Sequence, residues 1–257
     1  MLFSKLFKSF FNNLGISNKL SQRLNVINSI EDNLQINFEY LILLIGSGIV
    51  ATLGLLTDNV VFIMGSMLMA PLYWPVIGLA LGIASGEKKI LKKSILMICL
   101  STLIVLVFSG LISMLFPNSQ ITGEIIDRAN PTLFDLVVAL ITSIIGVLAI
   151  CNPDTSFSAV GVALSLSILP PLSNAGIGLA FTNDKILFGS LRMYLTNIVA
   201  VVFSSAIFFY LLKFRPNNND EKKRFSLGIS GATILLIIFT VIFSLELFWG
   251  INKSRIT

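Results

Sequence analysis

Two consecutive prolines, Pro170 and Pro171, sit in the middle of an apolar run long enough to span a membrane. The stretch around them, residues 165–180, reads SLSILPPLSNAGIGLA. Each proline lacks an N–H donor, and Pro171 disfavours the α region at Pro170. A helix is therefore expected to break near Leu169–Leu172, leaving the carbonyls of Leu166 and Ser167 without their usual partners. In hydrocarbon an unpaired carbonyl costs several kcal/mol, so such backbone is tolerated only where it is packed in protein or lines a wet cavity. A broken span points to function without naming it.

The rest of the chain explains why a membrane is the right solvent to consider. Of 257 residues 55% are hydrophobic and 12% charged, against about 25% charged in soluble domains. Crossing about 30 Å of hydrocarbon takes about 20 apolar residues. Seven runs meet that need, near 39–57, 60–84, 90–116, 132–151, 157–181, 187–213 and 225–249. The class is an all-α polytopic membrane protein of about seven transmembrane helices. The second run holds Pro71 and Pro75 and is expected to be broken like the fifth.

Three segments follow. Residues 1–38 carry two amphipathic helices on the cytoplasmic side or in the interface. In the first, Phe3, Leu6, Phe7, Phe10 and Leu14 share a face. In the second, Leu20, Leu24, Ile27, Ile30 and Leu34 recur every three or four residues, as for a helix or a subunit contact. Residues 39–213 form the transmembrane domain, in halves 39–116 and 132–213, and 225–249 is an additional span.

Basic residues set the orientation. Lys5, Lys8, Lys19, Arg23, Lys88, Lys89, Lys92, Lys93, Lys213, Arg215, Lys222, Lys223 and Arg224 fall on one side of a seven-span chain. Arg128, Lys185, Arg192, Lys253 and Arg255 fall on the other. The expected location is the cell membrane, multi-pass, with the N-terminus cytoplasmic and the C-terminus outside. The N-terminus lacks the short apolar core and cleavage site of a signal peptide.

Sliding the chain by 100 residues pairs Val60, Pro71, Leu72, Ile77, Gly78, Leu79 and Ala80 with Val160, Pro171, Leu172, Ile177, Gly178, Leu179 and Ala180. Spans one to three then correspond to four to six. Three is odd, so the second copy enters from the opposite side. The expected fold is a 3+3 inverted repeat plus one extra helix, the plan of many secondary transporters.

Four blocks carry a family resemblance. They are ATLGLLTDNVVFIMGSMLMAPLYWPVIGLALGIASGE (51–87), PTLFDLVVAL (131–140), GVALSLSILPPLSNAGIGLA (161–180) and LTNIVAVVF (195–203). Together they resemble the uncharacterised hydrophobic membrane proteins of the domain-of-unknown-function 389 family, across roughly residues 40–213. The first block departs from it at Tyr73-Trp74, where smaller residues are expected. The resemblance implies a fold and brings no activity with it.

Substrate-binding candidates gather at the two expected breaks: Ser66, Pro71, Tyr73 and Trp74 at the first, Ser167, Pro170, Pro171, Ser173 and Asn174 at the second, with Asn197 deep in span six. Ser173 and Asn174 would open the second half of a broken helix, whose free N–H groups favour an anion. The alternative is that these small polar residues only patch broken backbone. Asp58, Asn59 and Asp154 precede spans two and five, either as coupling-ion ligands or as helix caps. Asn130-Pro131 reads as a cap, with Asp135 in the following first turn.

The sequence has no histidine, which excludes histidine-based acid–base or metal chemistry. Cys99 and Cys151 form no redox or metal motif. No nucleophile–base pair and no paired intramembrane carboxylates are present, so an enzyme is not expected, and neither is a metal or cofactor. The expected function is transport of a small polar or anionic solute at broken helices two and five. The alternatives are an oligomeric channel and a lipid-interacting scaffold. Expected partners are the lipid bilayer, a small solute or ion, and further copies of the chain in a homo-oligomer. The net charge of +5 lies beside spans and does not indicate nucleic acid.

Overall fold

The computed structural model describes residues 20–151, 157–212, 214 and 226. The elements there are helices: α1 (Leu20–Asn33), α2 (Phe38–Leu56), α3 (Val60–Met69), α4 (Tyr73–Ser85), α5 (Lys88–Met114), α6 (Gly123–Ala129), α7 (Leu133–Cys151), α8 (Phe157–Ala180) and α9 (Asp184–Leu211). Four stretches are long and apolar enough to cross a membrane: Phe38–Leu56, Lys88–Met114, Phe134–Cys151 and Asp184–Leu211. The bent pair α3 and α4 makes a fifth if it counts as one span. In α8 the shorter stretch Ile168–Ala180 is apolar. Of the seven expected spans, four or five stand among the described residues. The expected span 225–249, the amphipathic segment 1–14 and Asp154 lie outside them.

The polarity is that of a membrane protein. Phe134 on α7, Leu103 on α5 and Val61 on α3 are 83%, 60% and 74% exposed. Ser47, Ser94, Ser101, Ser109, Ser143 and Ser190 are wholly buried. Small polar residues inside and large apolar ones outside suit a bundle whose solvent is lipid, because they let helices approach closely and bond across their interfaces.

Three connections reuse one device. In the α2–α3 turn Asn59 N–H donates to Gly54 O at 2.8 Å, Asp58 is left-handed at φ 55°, and Asn59 Oδ1 caps Val61 and Phe62 N–H. In the α8–α9 turn Asn183 N–H donates to Gly178 O at 2.9 Å, Thr182 has φ 50°, and Asn183 Oδ1 caps Ile186 N–H. In the α4–α5 turn the left-handed residue is Gly86, at φ 75°, and its N–H donates to Gly82 O at 3.0 Å. Such left-handed turns satisfy the last carbonyls of a helix and stop it.

In all three the next helix folds back onto the glycine. A Cβ there would lie 2.8 Å from Ile63 N at Gly54, 2.9 Å from Leu91 N at Gly82 and 2.5 Å from Leu187 N at Gly178. Gly178 therefore takes the place of Gly82. That is four residues from Gly78, its partner in the 100-residue slide.

The two proline sites differ. Ala70, before Pro71, is extended at φ −70° and ψ 122°, as a residue before proline prefers. Helix α3 stops there, α4 begins at Tyr73, and the axes bend by 55°. Pro75 falls in the first turn of α4, where a missing N–H removes no helical bond.

The expectation of a second break is overturned: α8 runs unbroken from Phe157 to Ala180 with Pro170 and Pro171 inside it. The reason is its confinement. Every residue from Ile168 to Gly178 is buried, with α5 on one side and α9 on another. A Cβ on Gly176 would lie 2.6 Å from Ser109 Cβ and 2.9 Å from Leu106 O. Backbones this close leave no room for a bend, so packing overrides the local preference of the prolines.

Helix α1 is amphipathic as expected, but its buried stripe is Val26, Ile30 and Leu34, while Leu24 is exposed. It docks on α4 and α7 of its own chain. Glu31 Oε1 meets Lys89 Nζ at 2.5 Å and Lys93 Nζ at 3.6 Å. The hydrogen bond from Lys89, with both ammonium charges, holds the Glu31 carboxyl below the ordinary value.

Two outcomes follow from these contacts. Gly178→Ala and Gly54→Ala force a side chain into backbone, at a cost of about 1–3 kcal/mol for overpacking. Gly65→Ala, with nothing within 4 Å of its Cβ, is neutral or stabilising by a few tenths of a kcal/mol, as Ala is the better helix former; thermal unfolding in detergent ranks the three. A carboxyl whose folded pKa is depressed contributes stability above its unfolded value, about 4.3 for Glu, and loses it as pH falls through the lower folded value. Hydrogen-exchange protection of α1 should therefore fall only below about pH 4.3, and Glu31→Gln should show the reduced protection at neutral pH.

Candidate functional site

The centre of the site is Asn174 on α8, with no exposed surface. Its Nδ2 donates to Ile125 O on α6 and to Ser190 Oγ on α9, each at 2.8 Å. Ile125 O only accepts, so the amide orientation is set. Both amide hydrogens are used, and Oδ1 has no partner. Beside it Ser173 Oγ is also buried and unpaired. Three residues beyond Ser173, at Gly176, α5 presents Ser109, whose Oγ is unpaired as well. Leaving a buried polar group unsatisfied costs about 1–3 kcal/mol, so three in one seam ask for a reason.

Helix α6 closes one end of this seam. Ile125 is fully buried and Ala129 nearly so, and the Ala129 backbone rests on Gly189 of α9. Two further bonds fasten α6 to the α2–α3 turn: Thr122 Oγ1 donates to Leu55 O at 2.6 Å, and Asp58 Oδ1 accepts from Glu124 N–H at 3.0 Å. Arg128 Nη2 pairs with Glu124 Oε2 at 3.1 Å, while its Nε is buried without a partner.

A second polar group joins α2, α5 and α9. Tyr40 Oη and Ser101 Oγ are 2.6 Å apart, and Thr102 Oγ1 bonds the Tyr194 hydroxyl. None of Tyr40, Ser101, Thr102, Ser109, Ser190 and Tyr194 was singled out from the sequence. A signal was available: Ser94, Ser101 and Ser109 recur about two turns apart in one apolar run, which places them on one helix face.

The residues singled out from the sequence separate into groups held by different neighbours. At the α3–α4 break Ser66 Oγ bonds its own helix at Ile63 O, 2.6 Å away, and Tyr73 Oη donates to Gly146 O on α7 at 3.1 Å. Trp74 sets its ring edge-to-face on Tyr73 at 5.2 Å, and Pro71 is half-buried at the bend. Ser173, Asn174, Pro170 and Pro171 are buried within α8, and the Ser167 side chain lies outside the described ones. Because α8 is continuous, Ser173 and Asn174 do not sit at a half-helix N-terminus, and an anion site of that kind is withdrawn. Asn197 is buried on α9.

Asp58 and Asn59 act as caps, of α6 and α3 respectively. Asn130 follows α6 instead of opening α7: its Nδ2 bonds Ile126 O at 2.7 Å. Thr132 and Asp135 pair at the start of α7, with Asp135 Oδ2 accepting from Thr132 N–H and Oγ1 at 2.8 and 2.6 Å. The Asn130 side chain is engaged by α6, and Thr132, three residues before Asp135, supplies the capping pair of α7.

Asn174→Leu strands the Ile125 carbonyl and the Ser190 hydroxyl. It should cost about 1–3 kcal/mol and lower hydrogen-exchange protection in α6 before it lowers protection in α5. Unchanged protection in α6 would show that Asn174 does not hold it.

An uncharacterized protein of Methanocaldococcus jannaschii is 28% identical over 227 residues, covering 86% of this chain and 70% of its own. No solved structure matches the chain. The profile described as domain of unknown function (DUF389) matches residues 67–203, from the end of α3 through most of α9. The chain, which places its buried polar seam inside that region, belongs to the DUF389 family.

Proposed function

We propose that this protein is a membrane transporter for a small polar or anionic solute, seen with its path closed. The observation that carries the reading is the seam of α5, α8 and α9. There Ser109 Oγ, Ser173 Oγ and Asn174 Oδ1 are buried without partners. Atoms left in that state are satisfied once water or a solute enters. A carrier that rocks between states needs such a set of polar groups at the contact that opens.

The neighbours of the long helices support the inverted repeat on which rocking would depend. Helix α5 lies against α8, and α9 lies against α4, so exchanging the α4–α5 hairpin with α8–α9 preserves the contacts. The shared glycine turn adds to that. The broken α3–α4 pair is the second element that would flex, with Pro71, Tyr73, Trp74 and Ser66 at its hinge. Of the expected coupling-ion ligands, Asp58 and Asn59 are occupied as caps, and Asp154 is retained. No enzymatic role is assigned. The proposed setting is the cell membrane, N-terminus cytoplasmic and C-terminus outside, as a homo-oligomer.

One observation favours a non-transporting scaffold instead: at the α3–α4 break, Ser66 and Tyr73 are satisfied by the protein itself. Uptake decides between the two. Purified protein in liposomes is assayed with labelled inorganic phosphate, acetate, amino acids and neutral sugars. The carrier reading expects saturable uptake of at least one of them, reduced about 10-fold by Asn174→Leu, the equivalent of about 1.4 kcal/mol. Absence of flux for the whole panel, with protein that is monodisperse and helical, removes it. Unitary currents across a planar bilayer would assign a channel.

A further inference from the structure

Helix α6 is seven residues long, too short to cross a membrane, and lies between two spans as a cross-piece. It is fastened at four points to two different hairpins. Thr122 and Glu124 N–H hold the α2–α3 turn through Leu55 O and Asp58. Its Ile125 O takes the Asn174 amide, and its Ala129 backbone rests on Gly189 in the α8–α9 hairpin. Three hydrogen bonds hold it, each through one side chain that can be removed singly, beside the packing of Ile125 against Leu55, Ile177 and Ile186. Beneath it lies Asn174, wholly buried with Oδ1 unpaired, and next to Asn174 in α8 is Ser173, whose Oγ is also buried and unpaired. Helix α6 also carries Arg128, whose Nε is buried and unpaired while the far end of the guanidinium is neutralised by Glu124.

We propose that α6 is a movable cover on the Asn174 site, and that the space it uncovers takes a small oxyanion, a carboxylate or a phosphate, through Arg128. When α6 lifts, the Asn174 amide loses Ile125 O and keeps Ser190 Oγ, so one amide hydrogen becomes available beside Ser173. Arg128 then offers its Nε and the guanidinium face now taken by Glu124, a planar donor set matched to an oxyanion. Glu124 is thus the internal stand-in for the ligand: its carboxylate holds Arg128 while the cover is down. This rests on the transport reading for the purpose of the opening, and not for the opening itself.

The test needs no flux. Ser173→Cys is placed in a Cys99→Ser background, so that native Cys151, buried on α7, reports any general loosening. An exposed reporter, Asn118→Cys, made separately, shows which face of a sealed vesicle carries α6. A membrane-impermeant maleimide is then applied from each face in turn, and labelling is read by mass spectrometry. With the cover fastened, position 173 should label slowly. Removing two fastenings with Asp58→Ala and Thr122→Val should raise its rate about 10-fold from the α6 face alone, with Cys151 unlabelled.

Inorganic phosphate or acetate should slow that labelling again, and Arg128→Gln should abolish the protection. Whichever anion protects names the source of the oxyanion. An unchanged rate at position 173, or an equal rise from both faces or at Cys151, overturns the cover. A faster rate that neither anion slows overturns the anion site. A confirmed cover in a protein without flux would leave this inference standing and remove the transport reading.

Discussion

The contact on which the rest depends is the grip of α5 and α9 on α8. At Gly176 the α5 backbone comes within reach of where a Cβ would be, and at Gly178 the α9 backbone does the same from another side. In lipid there is no hydrophobic drive between helices, so association rests on close packing and interhelical bonds, and small residues at the contact allow both. The grip fixes α8 as a straight central element despite Pro170 and Pro171. It also decides which polar side chains are shut inside. Asn174 faces α6 and α9, and Ser109 lies against Gly176 from the α5 side. A larger residue at either glycine would separate the helices and dissolve the seam.

The difference between the two proline sites shows what local chemistry decides and what packing decides. At Pro71 the extended Ala70 and the placement of Pro75 in a first turn agree with each other, so the chain bends there at little cost. At Pro170–Pro171 the same local preference meets a fully buried environment and loses. Helix-breaking residues inside membrane spans are tolerated where neighbouring helices and side chains satisfy the freed groups. Among the described residues, α8 has seven such neighbours: α2, α3, α4, α5, α6, α7 and α9.

Much of this was legible in the sequence. The apolar runs mark the long helices, Asn59 reads correctly as a cap, and Pro71 marks the bend. Asp58 reads as a cap too, though what it caps is α6, a helix 66 residues away that no local pattern announces. The unbroken α8 was hidden because proline preferences are local and the grip on α8 is not. The Tyr40–Ser101 and Thr102–Tyr194 bonds were hidden for a related cause: hydroxyls in an apolar run have the same composition whether they face lipid, their own helix or a partner. Asn174 was singled out for its place after the prolines, and it is central for a different reason, its bond to α6.

The functional picture joins these points. A seam with unpaired polar atoms is closed by a short helix tied to two hairpins, inside a bundle with an apolar exterior. An experimental density map of the protein in lipid, detailed enough to show ordered water, tests this most directly. The account predicts α8 continuous through Pro170 and Pro171, with water or solute density bonded to Asn174 Oδ1 and Ser173 Oγ. A break between Leu169 and Leu172, or a map in which both atoms are paired with protein groups, would contradict it.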